Sequence, residues 1–123
     1  MAKKKILIIE DEPDAALFLK MHLEKSGFNA ICASDGKEGF EKVRTETPDL
    51  ILLDLMLPQV DGLWVCNILK SDKRFTRIPI IILTAKATDS DMAVAKKCGA
   101  NGYMVKPFEF SDLLIEIKKF LKD

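Results

Sequence analysis

The chain has 123 residues, enough for one hydrophobic core and not two. Apolar residues make up 48% and charged residues 31%, the balance of an ordinary soluble globular domain. Nineteen basic residues offset nineteen acidic ones, so the basic excess of a nucleic-acid binder is missing and no direct nucleic-acid binding is expected.

In chain order, Lys3-Lys4-Lys5 reads as a solvated leader to a first apolar run, Ile6–Ile9. Pro13 suits the first turn of a helix that runs to about Gly27, a natural stop. A second apolar run, Ala30–Ala33, precedes a helix predicted over Lys37–Glu46 and ended before Pro48. Leu50–Leu53 follows, then a helix over Gly62–Lys70. Ile80–Leu83 leads to a helix over Asp89–Cys98 with Gly99 after it. Tyr103–Val105 leads to the last helix, Ser111–Lys122, with Leu113, Leu114, Ile117 and Leu121 on one stripe.

The apolar runs are rich in Ile, Leu and Val without polar alternation, as strands covered on both faces are. Five β-α repeats of this kind predict a doubly wound α/β domain over residues 1–123. It has a parallel sheet, right-handed crossovers and helices on both faces. Cys32, Cys66 and Cys98 are odd in number and widely spaced, which predicts reduced, buried or half-buried thiols rather than a disulfide framework or zinc site. There is no signal-peptide anatomy, and no apolar run approaches the roughly 20 residues that cross a bilayer. A cytoplasmic protein without membrane contact is expected.

Ligands of such folds bind beyond the carboxyl ends of the strands. There the sequence places Glu10-Asp11-Glu12 after the first strand, Asp54 after the third, Thr84-Ala85 after the fourth and Lys106-Pro107 after the fifth. Carboxylates gathered on one rim repel each other unless a cation joins them, and Mg²⁺ prefers such oxygen ligands. A lysine and a hydroxyl facing them can serve phosphoryl oxygens, and Asp54 could act as nucleophile. Singly, each residue has a plainer reading. Asp54 could be an N-cap, Lys106 a surface charge, and the acidic triplet a complement to the first helix dipole. Their joint placement at four strand ends favours phosphoryl chemistry.

Several segments together resemble the receiver domains of two-component response regulators. They are Ile-Ile-Glu-Asp-Glu at 8–12, Pro-Asp-Leu-Ile-Leu-Leu-Asp-Leu-Met-Leu-Pro at 48–58, Asp61-Gly62, Ile-Leu-Thr-Ala at 82–85, Gly99-Ala100 and Tyr-Met-Val-Lys-Pro-Phe at 103–108. The resemblance implies a flavodoxin-like sheet with strand order 2-1-3-4-5. It also implies phosphorylation of Asp54 by a histidine kinase or histidine phosphotransfer protein. Asp11 and Asp54 would bind Mg²⁺, with the Met56 carbonyl as a backbone ligand and Glu10 acting largely through water. Thr84 would hydrogen-bond the phosphoryl group, Lys106 would pair with it, and Tyr103 would swing inward with Thr84. The Lys106–Pro107 bond would be cis. The fourth helix, fifth strand and fifth helix would present the output face. The domain would be a switch that catalyses its own phosphoryl transfer and slow dephosphorylation, not an enzyme on a free substrate.

Asn101-Gly102 stand before Tyr103, and the last two helices have no arginine, so the arginine-network dimer of winged-helix regulators is not expected. The chain ends just after the fifth helix, so no output domain is expected in it. An aspartyl phosphohydrolase would carry a second Asp two residues after the nucleophile, where Met56 stands. A flavodoxin-like cofactor binder would need a Gly/Ser/Thr-rich loop in place of Glu10-Asp11-Glu12. The resemblance implies that Met56 and Lys86 stand at the two positions that tune hydrolysis; neither can orient an attacking water, so a comparatively long-lived phosphate is expected. On the first helix Ala15, Leu19 and Leu23 are predicted to face inward, with His22 near that stripe, and the resemblance implies that Phe18 and Met21 meet the kinase. On the third, Val65, Cys66 and Leu69 should face the sheet. Trp64 and Ile68 then form an outer apolar patch, a partner or self-association surface, unless Trp64 folds back over the second helix or the loop after the third.

Overall fold

Each apolar run forms a strand and each amphipathic segment a helix. The computed structural model describes residues 3–57, 61–85 and 88–121. The elements are β1 (Lys5–Ile9), α1 (Pro13–Lys25), β2 (Asn29–Ala33), α2 (Gly36–Glu46) and β3 (Leu50–Asp54). They continue with α3 (Gly62–Ser71), β4 (Ile80–Thr84), α4 (Asp89–Lys97), β5 (Gly102–Val105) and α5 (Phe110–Phe120). The strands pair in parallel in the order β2-β1-β3-β4-β5. The expected doubly wound sheet and its strand order are both found.

Alternation along the strands feeds two apolar layers. Leu7, Ile9, Ile51, Leu53, Ile80 and Ile82 meet Val43 of α2, Val65, Cys66 and Leu69 of α3 and Ala95 of α4. Ile6, Ile8, Leu50, Leu52, Ile81 and Leu83 meet Leu19 and Leu23 of α1 and Leu113 and Ile117 of α5. The central strands β3 and β4 are buried throughout, whereas β2 and β5, at the two edges, are only partly covered.

Local chemistry sets the helix starts. Pro13 opens α1; Asp35 Oδ1 accepts the Glu38 N–H at 2.8 Å to cap α2; Asp61 Oδ1 accepts the Leu63 N–H at 2.9 Å to cap α3. Thr88 Oγ1 accepts the Asp91 N–H at 3.1 Å and donates back to its carboxylate, capping α4. Most boundaries fall within one or two residues of expectation, and Lys122 lies outside the described residues.

One correction concerns α1: Ala16, Leu19 and Leu23 are its buried residues, and Ala15 is only half-buried. A step of three followed by a step of four drifts less around the helix than two steps of four, so Ala16 stays over the sheet. Phe18 and Met21 are exposed as expected. His22 is half-buried, its ring 4.1 Å from Phe18 and 5.1 Å from Phe110. In α5, Leu113 and Ile117 are buried while Leu114 and Leu121 are half-buried. The cysteines are free thiols, and burial pushes Cys66 up to about 11.

Candidate functional site

A parallel sheet delivers every strand's carboxyl end to one rim. Glu10 and Asp11 follow β1, Asp54 ends β3, Thr84 ends β4 and Lys106 follows β5. The register aligns Asp54 with Leu83 and Thr84 with Val105, so these groups come together from positions far apart in the chain. Glu10, Asp11 and Asp54 each offer a carboxylate oxygen within 4.8 Å of the others. Glu10 and Asp54 are 4% and 5% exposed, whereas Asp11 faces solvent.

The Lys106 ammonium donates to Asp54 Oδ2 at 2.9 Å and to Glu10 Oε1 at 3.1 Å. Asp54 Oδ1 accepts the Met56 N–H at 2.9 Å, and Glu10 Oε2 accepts the Glu12 N–H at 3.3 Å. These partners split two carboxyls that share one site. Burial pushes the Glu10 carboxyl up, and its contact with Asp54 pushes further, against the pull of Lys106, to about 7. Burial would raise Asp54 too, but hydrogen bonds from Glu10, Lys106 and the Met56 N–H outweigh it and hold Asp54 below its ordinary value. For Lys106, burial favours the neutral amine, yet the two carboxylates overcome it and keep the ammonium charged. Asp54 is therefore the ionised carboxylate and Glu10 the proton-retaining one.

Thr84 is fully buried. Alternation puts it on the same sheet face as Ile80 and Ile82, and Tyr103 pairs in register with Ile82. Tyr103 is half-buried at the margin of a cleft it shares with Met92 and Asn101; burial, then Asp91, raises its phenol. The Lys106–Pro107 bond is cis, as expected. Met56 borders a depression of about 360 Å³ with Asp11, Asp61 and Asp91. Lys86 lies outside the described residues, as does Pro58 of the third-strand motif.

Every other site residue expected from sequence lies on this rim or just behind it. Three features were not anticipated. Asp91 of α4 borders the same depression as Asp11; its only sequence signal was the Thr88-x-x-Asp91 cap pattern. Lys106 reaches Glu10 across 96 residues. Gly62 at the start of α3 packs so closely that an added Cβ would lie 2.7 Å from the Asp54 carbonyl oxygen. Asp61-Gly62 stood out in the sequence only as part of the receiver resemblance; the close approach was not legible.

The donor set suits a hard divalent cation: all oxygen, two carboxylates nearly buried, one open to water. The Asp54 and Asp11 carboxylates outnumber the single Lys106 ammonium, an excess of negative charge that such an ion can offset.

The family model described as "Response regulator receiver domain" matches residues 6–118. The chain is 43% identical over 119 residues to the alkaline phosphatase synthesis transcriptional regulatory protein PhoP of Bacillus subtilis, covering 97% of this chain and 49% of that protein. It is 42% identical over 118 residues to response regulator ArlR of Staphylococcus saprophyticus, covering 96% of this chain and 52% of that protein. The chain thus spans about half the length of the curated relatives it matches. The crystal structure of a putative response regulator from Chloroflexus aurantiacus superposes with a TM-score of 0.92 at 29% identity, covering 98% of both chains.

Proposed function

Because this chain belongs to the response regulator receiver family, we propose that it is a phosphoacceptor switch in which Asp54 takes a phosphoryl group from a histidine kinase or histidine phosphotransfer protein. One observation carries the reading. The Asp54 carboxylate, held ionised and tied to Lys106 and the Met56 N–H, sits beside Glu10 and Asp11 at the open end of the sheet.

In the transfer, an Asp54 oxygen forms a bond to phosphorus as the donor's P–N bond breaks. The bonding pair leaves on the imidazole, and an acyl phosphate results. Asp11, Asp54, the Met56 carbonyl and, largely through water, Glu10 would hold Mg²⁺, which would neutralise the phosphoryl oxygens. Lys106 exchanges one carboxylate partner for a phosphoryl oxygen, and Thr84 donates to another. The added charge then biases two packings of Tyr103 and of the face made by α4, β5 and α5. Phe18 and Met21, each 48% exposed on α1, form the kinase-facing edge; Phe18 also borders a cleft with Lys106 and Phe108. The switched face acts on an output protein or domain. The chain works on its own side chain, as a signalling switch that also loses its phosphate slowly.

Incubation with acetyl phosphate and Mg²⁺, followed by intact mass, tests the reading. Wild type gains one phosphoryl group, Asp54→Asn gains none, and Asp11→Asn requires more Mg²⁺ for the same yield. Equal gains in wild type and Asp54→Asn would refute it.

A further inference from the structure

Trp64 and Ile68 stand one turn apart on the outer side of α3, 50% and 41% exposed. The indole meets the Phe40 ring of α2 nearly edge-on, with centroids 5.8 Å apart at 87°. Trp64 therefore leans on α2 without being covered by it, and the residue stays half exposed to solvent. Beside the pair, α2 and the end of α3 bound a cleft of about 230 Å³ lined by Phe40, Glu41, Arg44, Ile68, Arg74 and Phe75. The face thus carries a projecting aromatic group and, next to it, a recess with an apolar floor.

Its charges are of both signs. Arg74 is engaged with Asp72 at 2.8 Å and lies over the Phe75 ring at 4.7 Å. On α2, Lys42 is paired with Glu38. Glu41 and Arg44, three residues apart on the same helix, make no ion pair among the described residues, although both line the recess.

We propose that this α2–α3 face binds a second copy of the chain across a two-fold axis. Trp64 of each copy enters the recess of the other, and Glu41 of each pairs with Arg44 of the other. A two-fold interface sets the same patch against itself, so it must hold both halves of each contact. This patch does: projection beside recess, free anion beside free cation. A face shaped for an acidic or a basic partner would carry one sign. Tryptophan is also enriched among residues that dominate interface energy. The patch is small, so the association is weak, with Kd between about 10 µM and about 1 mM. It leaves α4, β5 and α5 unobstructed, so this association is independent of the switching face.

Sedimentation velocity from about 10 µM to about 1 mM, the span expected for a weak interface, tests the proposal. Wild type shifts from monomer toward dimer, and its single tryptophan moves to shorter emission wavelength over the same range. Trp64→Glu and Ile68→Glu, both at exposed positions, remain monomeric with unchanged far-UV circular dichroism. Glu41→Arg and Arg44→Glu each raise Kd about tenfold or more, because like charges then face each other. The double variant Glu41→Arg/Arg44→Glu restores association. A wild type that stays monomeric throughout would overturn the proposal and leave the face to an unlike partner. So would a dimer indifferent to Trp64→Glu, or a double variant no tighter than the single ones.

Discussion

The Lys106 ammonium lies 2.9 Å from Asp54 Oδ2, and its second bond, 3.1 Å to Glu10, makes it the shared counter-ion of two nearly buried carboxylates. Removing it leaves two like charges facing each other. Lys106→Met should lose about 1–3 kcal/mol of stability at pH 8 in Mg²⁺-free buffer, below the usual range for a fully buried pair because Lys106 is partly solvated. The loss should shrink toward pH 5, where Glu10 takes up a proton. Phosphorylation by acetyl phosphate should slow by about 10²-fold, the scale of losing one transition-state donor. Urea titrations at both pH values and a phosphorylation time course check these outcomes.

Glu10 gives a pH dependence of definite sign. Its folded pKa, about 7, stands above the ordinary 4.5. The folded state thus holds the proton more tightly, and the stability this contributes is present below pH 4.5 and is lost as pH rises through 7. Glu10→Gln mimics the protonated form and does not titrate. In Mg²⁺-free buffer it should exceed wild type by about 1–3 kcal/mol at pH 8, with the gain fading below about 0.5 kcal/mol by pH 4.5. Asp54, shifted the other way, contributes stability above its ordinary value of 3.8 that is lost on acidification, so the comparison is best made above pH 4.5. A stability difference that is flat in pH would count against the shared-proton site.

Gly62 couples the start of α3 to the strand that ends in Asp54. A Cβ there would sit 2.7 Å from both the Asp54 carbonyl oxygen and the Leu55 Cα, and backbone cannot step aside as a side-chain tip can. Gly62→Ala should cost about 1–3 kcal/mol, as overpacking does, and should also slow phosphorylation by shifting the Asp54 loop. Gly27→Ala is the control. At φ +96° with nothing within 4 Å of an added Cβ, it should cost about 1–2 kcal/mol for backbone strain alone and leave phosphorylation intact. Thermal melts and acetyl-phosphate time courses of the two variants separate the effects.

Two lysines cover the outer edge of the sheet. In β2, the Asn29 N–H and the Ala33 carbonyl bond toward β1, so the Ala30 and Cys32 carbonyls point to the free edge. Lys20 of α1 donates to the Ala30 carbonyl at 2.9 Å and Lys42 of α2 to that of Cys32 at 2.7 Å. Each ammonium is held by a carboxylate four residues away on its own helix, Glu24 and Glu38. Charged lysines at an edge block strand addition. Lys20→Met/Lys42→Met should therefore aggregate faster on mild heating than wild type, with light scattering as the readout, while either single variant lies between.

The alternation of five apolar runs with five amphipathic segments settled the parallel α/β class from sequence alone, because burial on both faces demands continuous Ile, Leu and Val. The same pattern located Asp54, Thr84 and Lys106: a polar residue ending an apolar strand has nowhere to go but the rim. What a periodic reading cannot carry is azimuth to better than part of a turn, hence Ala16 rather than Ala15 over the sheet. Nor can it carry contacts across the chain. The sharing of Lys106 between Glu10 and Asp54, the split of their proton affinities, the Phe40–Trp64 pair and the lysines over β2 all join side chains from different elements. Those pairings depend on strand order, register and helix rotation acting together, and only the folded chain sets all three at once.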